Sequence, residues 1–132
     1  MEEALVDLLL ADAGVAAAAG NRVWWNRAPQ GRVETPYVVL RRISGQRDYH
    51  MAAPSGLVES RVQFDSYGKD YAAAKTTARA VQAVVSGYRG TAGGTVFQGI
   101  FIDTERDLPD AETPGAVDRL HAVSFDATIW HD

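Results

Sequence analysis

The sequence predicts an α+β domain: an antiparallel sheet of about four to five strands with two helices packed on one face. Three observations carry this. Two segments repeat their apolar residues at helical spacing, several others alternate at strand spacing, and the late connections are short enough to be hairpins. At 132 residues, with 46% hydrophobic and 23% charged residues, the chain is expected to form a single domain over 1–132 with a substantial core.

Glu2 to Ala13 reads as the first helix. Leu5, Val6, Leu8, Leu9 and Leu10 form a broad apolar face, and Glu2, Glu3 and Asp7 sit near the positive end of the helix dipole. Gly14 and Gly20 punctuate the alanine-rich stretch that follows, where the helix is expected to pause or restart. Val23–Trp25 fits a short strand, and Pro29, Gly31 and Pro36 break the chain into a loop. Pro36 to Ile43 is a strand rich in β-branched and aromatic residues. Ser44 to Gly56 is polar, a loop or the tip of a long hairpin.

Leu57 to Tyr67 alternates most cleanly. Val58, Val62 and Phe64 fall on one side with Ser60 and Ser66, while Glu59, Arg61, Gln63 and Asp65 fall on the other. Lys69 to Tyr88 is the second helix, with Tyr71, Ala74, Ala78, Val81, Val85 and Tyr88 in one stripe whose alanines allow close approach to a sheet. Gly87 and Gly90 end it, and Thr91 to Thr95 reads as a glycine-rich loop. Val96 to Asp107 is a strand with Val96, Gln98, Ile100 and Ile102 on one side and Phe97, Phe101, Asp103 and Glu105 on the other. Leu108 to Gly115 is an acidic, proline-bounded hairpin loop. Val117 to His131 closes the chain with Val123, Phe125, Ala127 and Ile129 inward and Ser124, Asp126 and Thr128 outward; Trp130 is expected to close one end of the core. The sheet face away from the helices is then polar, as a subunit lining an aqueous channel requires, with Arg61, Gln63, Asp65 and Asp126 as lumen-facing candidates.

The absence of cysteine rules out disulfides and thiolate metal clusters. No apolar stretch is long enough to span a bilayer as a helix, so no membrane partner is expected. The acidic opening Met1-Glu2-Glu3 is unlike a secretory signal, which points to folding in the cytoplasm. A net charge of -4 argues against general affinity for nucleic acid. The charge is unevenly spread. Residues 20–61 hold seven arginines against three acids, and residues 103–132 hold eight acids against two arginines. These blocks either neutralise each other within the domain or form two faces that meet between copies.

No constellation points to catalysis or to a cofactor. His50, His121 and His131 share no metal-ligand spacing, and there is no P-loop, Rossmann fingerprint or nucleophile elbow. The glycines at 87, 90, 93 and 94 follow a helix and precede a strand, the reverse of a phosphate cradle. Ser55, in Pro54-Ser55-Gly56, is a turn serine. Asp103, Glu105 and Asp107 alternate along a strand, which would place three carboxylates on one face for a hard cation, for solvent or for arginines such as Arg106 and Arg119. Trp24 and Trp25 point to opposite sides of their strand; the exposed indole, beside Arg22 and Arg27, suits an interface anchor or a stacking platform for a base.

Several segments together resemble a known family. They are Arg27-Ala28-Pro29-Gln30-Gly31, Pro36-Tyr37-Val38-Val39-Leu40, Ile43-Ser44-Gly45, Val62-Gln63-Phe64-Asp65, Tyr71-Ala72-Ala73-Ala74, Gly87-Tyr88-Arg89-Gly90, Gln98-Gly99-Ile100-Phe101 and Ser124 to His131. Each is weak alone, but their order and spacing resemble the DUF3168 family of tail completion proteins of siphophages, prophages and phage-like gene transfer agents. Tyr67 stands where many relatives carry Trp. The resemblance implies no catalytic residues and no cofactor. It implies a tail terminator: a homo-oligomeric ring, a hexamer, at the head-proximal end of a tail tube. Its partners would be itself, the tail tube protein and the head connector or stopper, with DNA only as transient cargo. A different head–tail joining part, or a small ligand- or metal-binding domain on the acidic strand, are the competing readings. Candidate interface residues are Arg22, Trp25 and Arg27, the loop residues Arg47, Asp48, Tyr49 and His50, and the acidic Asp103, Glu105 and Asp107.

Overall fold

A computed structural model describes residues 1–30, 33–111 and 120–132. Two helices, α1 (Glu2–Leu10) and α2 (Ala13–Ala19), lead into β1 (Val23–Trp25), β2 (Tyr37–Tyr49) and β3 (Pro54–Gly68). Helix α3 (Tyr71–Val85) follows, then β4 (Gly90–Ala92), β5 (Thr95–Ala111) and β6 (Leu120–His131). The strands form one sheet in the order β1-β2-β3-β6-β5-β4. The predicted α+β class holds, with six strands in place of four to five and three helices in place of two among the described residues. The sheet is mixed: β1 runs parallel to β2, Val23 opposite Val38, while every other pair is antiparallel.

The first helix breaks at Ala11–Asp12, ahead of Gly14. Asp12 accepts the Val15 backbone N–H at 3.0 Å and so caps a new helix, which satisfies a donor that a continuous helix would have used otherwise. Asp70 repeats the device for α3, accepting the Ala73 N–H at 2.7 Å. The segment read as a glycine-rich loop is a hairpin: Gly93 and Gly94 both have positive φ and connect β4 to β5, with Ala92 opposite Thr95. The hairpin loop expected after Leu108 begins later, since β5 runs to Ala111; positions 112–119 lie outside the described residues.

The helices share the sheet face that carries Val38, Leu40, Val62, Phe64, Phe125, Ala127 and Ile129, and Leu5, Leu9, Val15, Val81 and Val85 complete one core. Phe64 and Phe125 are register partners and stack at 4.7 Å with an interplanar angle of 3°. Helix α1 touches both sheet edges, β1 and β4, so the sheet curls around it. The N-terminal end of α3 approaches even more closely: a Cβ on Gly68 would stand 2.6 Å from the Ala74 backbone nitrogen.

Strand β5 departs from simple alternation. Phe97 lies opposite His131 and Gly99 opposite Trp130, so Gln98 is an extra residue. Phe97 therefore joins Ile100 in the core, where uninterrupted alternation would put it on the far side. Asp103 is a second extra residue, between Ile102 opposite Ala127 and Thr104 opposite Asp126. Trp130 pairs with Glu59 on the outer face and does not close the core.

Candidate assembly surfaces

The face away from the helices carries the predicted polar set. On β3 and β6, Arg61 lies opposite Thr128, Gln63 opposite Asp126, and Asp65 opposite Ser124. The Asp126 carboxylate is almost wholly buried, yet no helix covers it. Two arginines do: Arg61 donates to Oδ2 at 2.9 Å and Arg106 to Oδ1 at 3.3 Å. Gln63 Nε2 donates to both oxygens of Asp65, at 2.9 and 3.0 Å. Arg61, Gln63, Asp65 and Asp126 thus form one connected surface, to which the structure adds Arg106. Toward β1 the surface turns aromatic. Trp24 packs on Tyr37 at 5.8 Å and Tyr37 stacks on Tyr67 at 4.9 Å. Burial, and then the nearby Asp65 carboxylate, push the Tyr67 hydroxyl up to about 12.

The three strand carboxylates do not share a face. The extra residue at Asp103 separates it from the other two, and it accepts a hydrogen bond from Thr128 Oγ1 at 2.7 Å. Glu105 and Asp107 turn toward α3. Lys75 forms an ion pair with Glu105, and the Tyr71 hydroxyl donates to Asp107 at 3.2 Å. The Lys75 ammonium holds the Glu105 carboxyl below the usual range, and Glu105 in turn raises Lys75. No group of three potential metal ligands exists among the described residues.

The arginine-rich block is likewise partly answered within the subunit. Arg22 donates through Nε to the Pro36 carbonyl at 2.8 Å and lies 3.9 Å from Glu34, so it ties down the loop before β2. Arg42 forms an ion pair with Glu2. Trp25 packs against the core while Trp24 occupies the outer face, so the indole beside the outer surface is Trp24. Arg27 remains exposed.

The loop expected at Ser44–Gly56 is the end of a long hairpin. From Arg41 to Gly56 every residue is exposed, with Tyr49 at 65% and Met51 fully exposed. Arg47, Asp48, Tyr49 and His50 lie on this arm. Ser55 does sit in a turn: its hydroxyl donates to the Asp48 carbonyl and accepts the Leu57 N–H. Ile43, read as the end of a strand, is exposed on this arm, and Met51 was not singled out, because an apolar residue in an unpacked hairpin has no periodicity to betray it.

Among the described residues one serine–histidine pair is hydrogen-bonded. Ser60 Oγ and His131 Nε2 are 2.8 Å apart, but Ser60 is wholly buried, so no substrate reaches its oxygen. Burial holds the His131 imidazole below its ordinary value. The pair is core architecture.

The sequence matches the family of the tail completion protein gp17 over residues 3–132. The chain belongs to that family. Its fold matches a chain in the structure titled "Virion of native gene transfer agent (GTA) particle", with a TM-score of 0.77 and 18% identity over 100% of this chain and 95% of that one. No curated protein sequence matches it significantly. Membership in a structural tail family points to a non-catalytic role.

Proposed function

We propose that this chain is a tail terminator: a subunit that forms a ring on the head-proximal end of a phage-like tail, stops tube polymerisation and joins the tail to the head connector. The family match over nearly the whole chain carries this reading. The ring is homo-oligomeric, a hexamer, assembled in the host cytoplasm and retained in the particle.

The geometry suits each task. A ring needs a wall along its channel, and the helix-free sheet face offers one. DNA passing such a wall must not be gripped, because free arginines hold phosphates tightly. Here Arg61 and Arg106 are already engaged by Asp126, which leaves a wetted surface of low net charge. The projecting arm Arg41–Gly56 is suited to reach a neighbouring subunit or the tube end.

Particles produced without this protein test the reading. Tubes of uncontrolled length lacking heads are expected, and labelled protein added back is expected at the head-proximal end. Tubes of normal length, or label at the opposite end, would contradict it.

A further inference from the structure

We propose that copies of this chain join edge to edge. The free side of β2 over Arg41–Tyr49 would pair, antiparallel, with the free side of β5 over Gln98–Asp107 of the next copy. The inference rests on the ring reading and names the surface that makes the ring.

Both edges of the sheet are only partly covered. β1 pairs with β2 at Val38–Leu40 alone, and β4 pairs with β5 at Thr95–Phe97 alone. Beyond those rungs, neither strand has an outer neighbour among the described residues, so each presents a row of backbone donors and acceptors ready for another strand. The two free edges are level with each other. Arg42, Val62, Ala127 and Ile102 lie on a single rung across β2, β3, β6 and β5. A rotation that keeps copies at the same height therefore brings one free edge against the other. Strand direction also agrees. β2, β3, β6 and β5 alternate, so a neighbour's β5 beside β2 continues the antiparallel ladder.

The edges differ in chemistry in the way a closed head-to-tail ring requires. The β2 edge carries Arg41, Arg42 and Arg47 against Asp48, and although Glu2 already pairs with Arg42, the excess stays basic. The β5 edge carries Asp103, Glu105 and Asp107 against Arg106, and although α3 already holds Glu105 and Asp107, the excess stays acidic. Each edge also exposes a large apolar side chain: Ile43 at 48% and Tyr49 at 65% on one, Phe101 at 56% on the other. Past the Arg47–Val58 rung β6 no longer flanks β3, so the hairpin tip is two-stranded and marginal alone, and a third strand would consolidate it.

The chain has no cysteine, so introduced thiols report cleanly. Ile43→Cys, Ser44→Cys or Gln46→Cys would each be combined in one chain with Gln98→Cys, Phe101→Cys or Asp103→Cys. All six positions are exposed, so the variants are expected to keep the wild-type thermal midpoint. After mild oxidation, at least one combination is expected to give a ladder of covalent oligomers, while single-cysteine variants give none. Negative-stain images of the same samples record whether rings are present. Rings without a ladder in any combination would overturn edge pairing and leave the ring reading standing. Dimers from the β2 cysteine alone would overturn it by showing like edges paired. Absence of rings at any concentration would overturn both. Hydrogen exchange on the unmodified chain gives a second readout. Amides of 41–49 should gain protection on assembly by at least tenfold, and unchanged exchange in rings would contradict the pairing.

Discussion

The body of the subunit and its β2–β3 arm are built from the same two strands, yet they obey different rules. Between Tyr37 and Leu40 every residue of β2 is buried; from Arg41 to Tyr49 every one is exposed. The change occurs within one strand, so it does not reflect secondary-structure propensity. It reflects what lies against the strand: the helices and β1 pack on it up to Leu40, whereas beyond Leu40 β2 keeps β3 on one edge and only the Glu2 ion pair to Arg42 at its base. A folded chain gains little stability from such an arm, which suggests that its sequence answers to a partner.

That contrast predicts a gradient of mutational cost. Phe125→Ala or Phe64→Ala removes half of a fully buried stacked pair and is expected to cost about 3–5 kcal/mol in denaturant unfolding. A cost under about 1 kcal/mol would mean the body is not packed as described. Gly68→Ala pushes a methyl group into the backbone of α3 at Ala74 and is expected to cost about 1–3 kcal/mol. Lys75→Ala breaks a partly exposed ion pair with Glu105 and should cost less than about 1 kcal/mol. Because the Glu105 pKa is lowered on folding, its contribution is present above the unfolded carboxylate range and is lost as pH falls through the folded value. Replacing residues 47–56 with a short turn should change stability least, by no more than about 0.5 kcal/mol. A large loss there would erase the distinction between body and arm.

The outer face offers a sharper test at high pH. Burial pushes the Tyr67 phenol from its ordinary 10.0 up to about 12 in the folded chain, so its contribution is intact below pH 10 and lost as pH rises toward 12. Absorbance titration should show a late phenol phase that Tyr67→Phe diminishes. A late phase left unchanged by Tyr67→Phe would show that Tyr67 is open to water.

How much was legible in the sequence follows the same line. Where burial is one-sided, alternation reports it: Val62 and Phe64 against Arg61 and Gln63, or the Ala74–Ala78–Val81–Val85 stripe of α3, stand in the structure as the pattern predicts. Where a strand gains an extra residue, alternation misleads. Gln98 shifts Phe97 into the core, and Asp103 splits three carboxylates that simple spacing puts together. Two local signals were passed over: Asp12, which caps α2, was not read at all, and Gly93-Gly94, read as part of a loop, is a hairpin turn. The parallel pairing of β1 leaves no local trace, because it depends on where the 26–36 connection returns the chain. That Arg61, Gln63, Asp65 and Asp126 share the helix-free face was legible because β3 and β6 alternate without interruption through those residues. Arg22 and Trp25, by contrast, were read by type alone, and the structure gives both intramolecular partners.

Assembly of the purified chain, intact and with its arm shortened, tests the central claim most directly. Mass measurement and negative-stain imaging across a salt series should show closed rings with a central hole for the intact chain, dissociating as ionic strength rises. The arm-shortened chain should remain a folded monomer. Rings formed equally well without the arm, or an intact chain that stays monomeric at every concentration, would contradict the account.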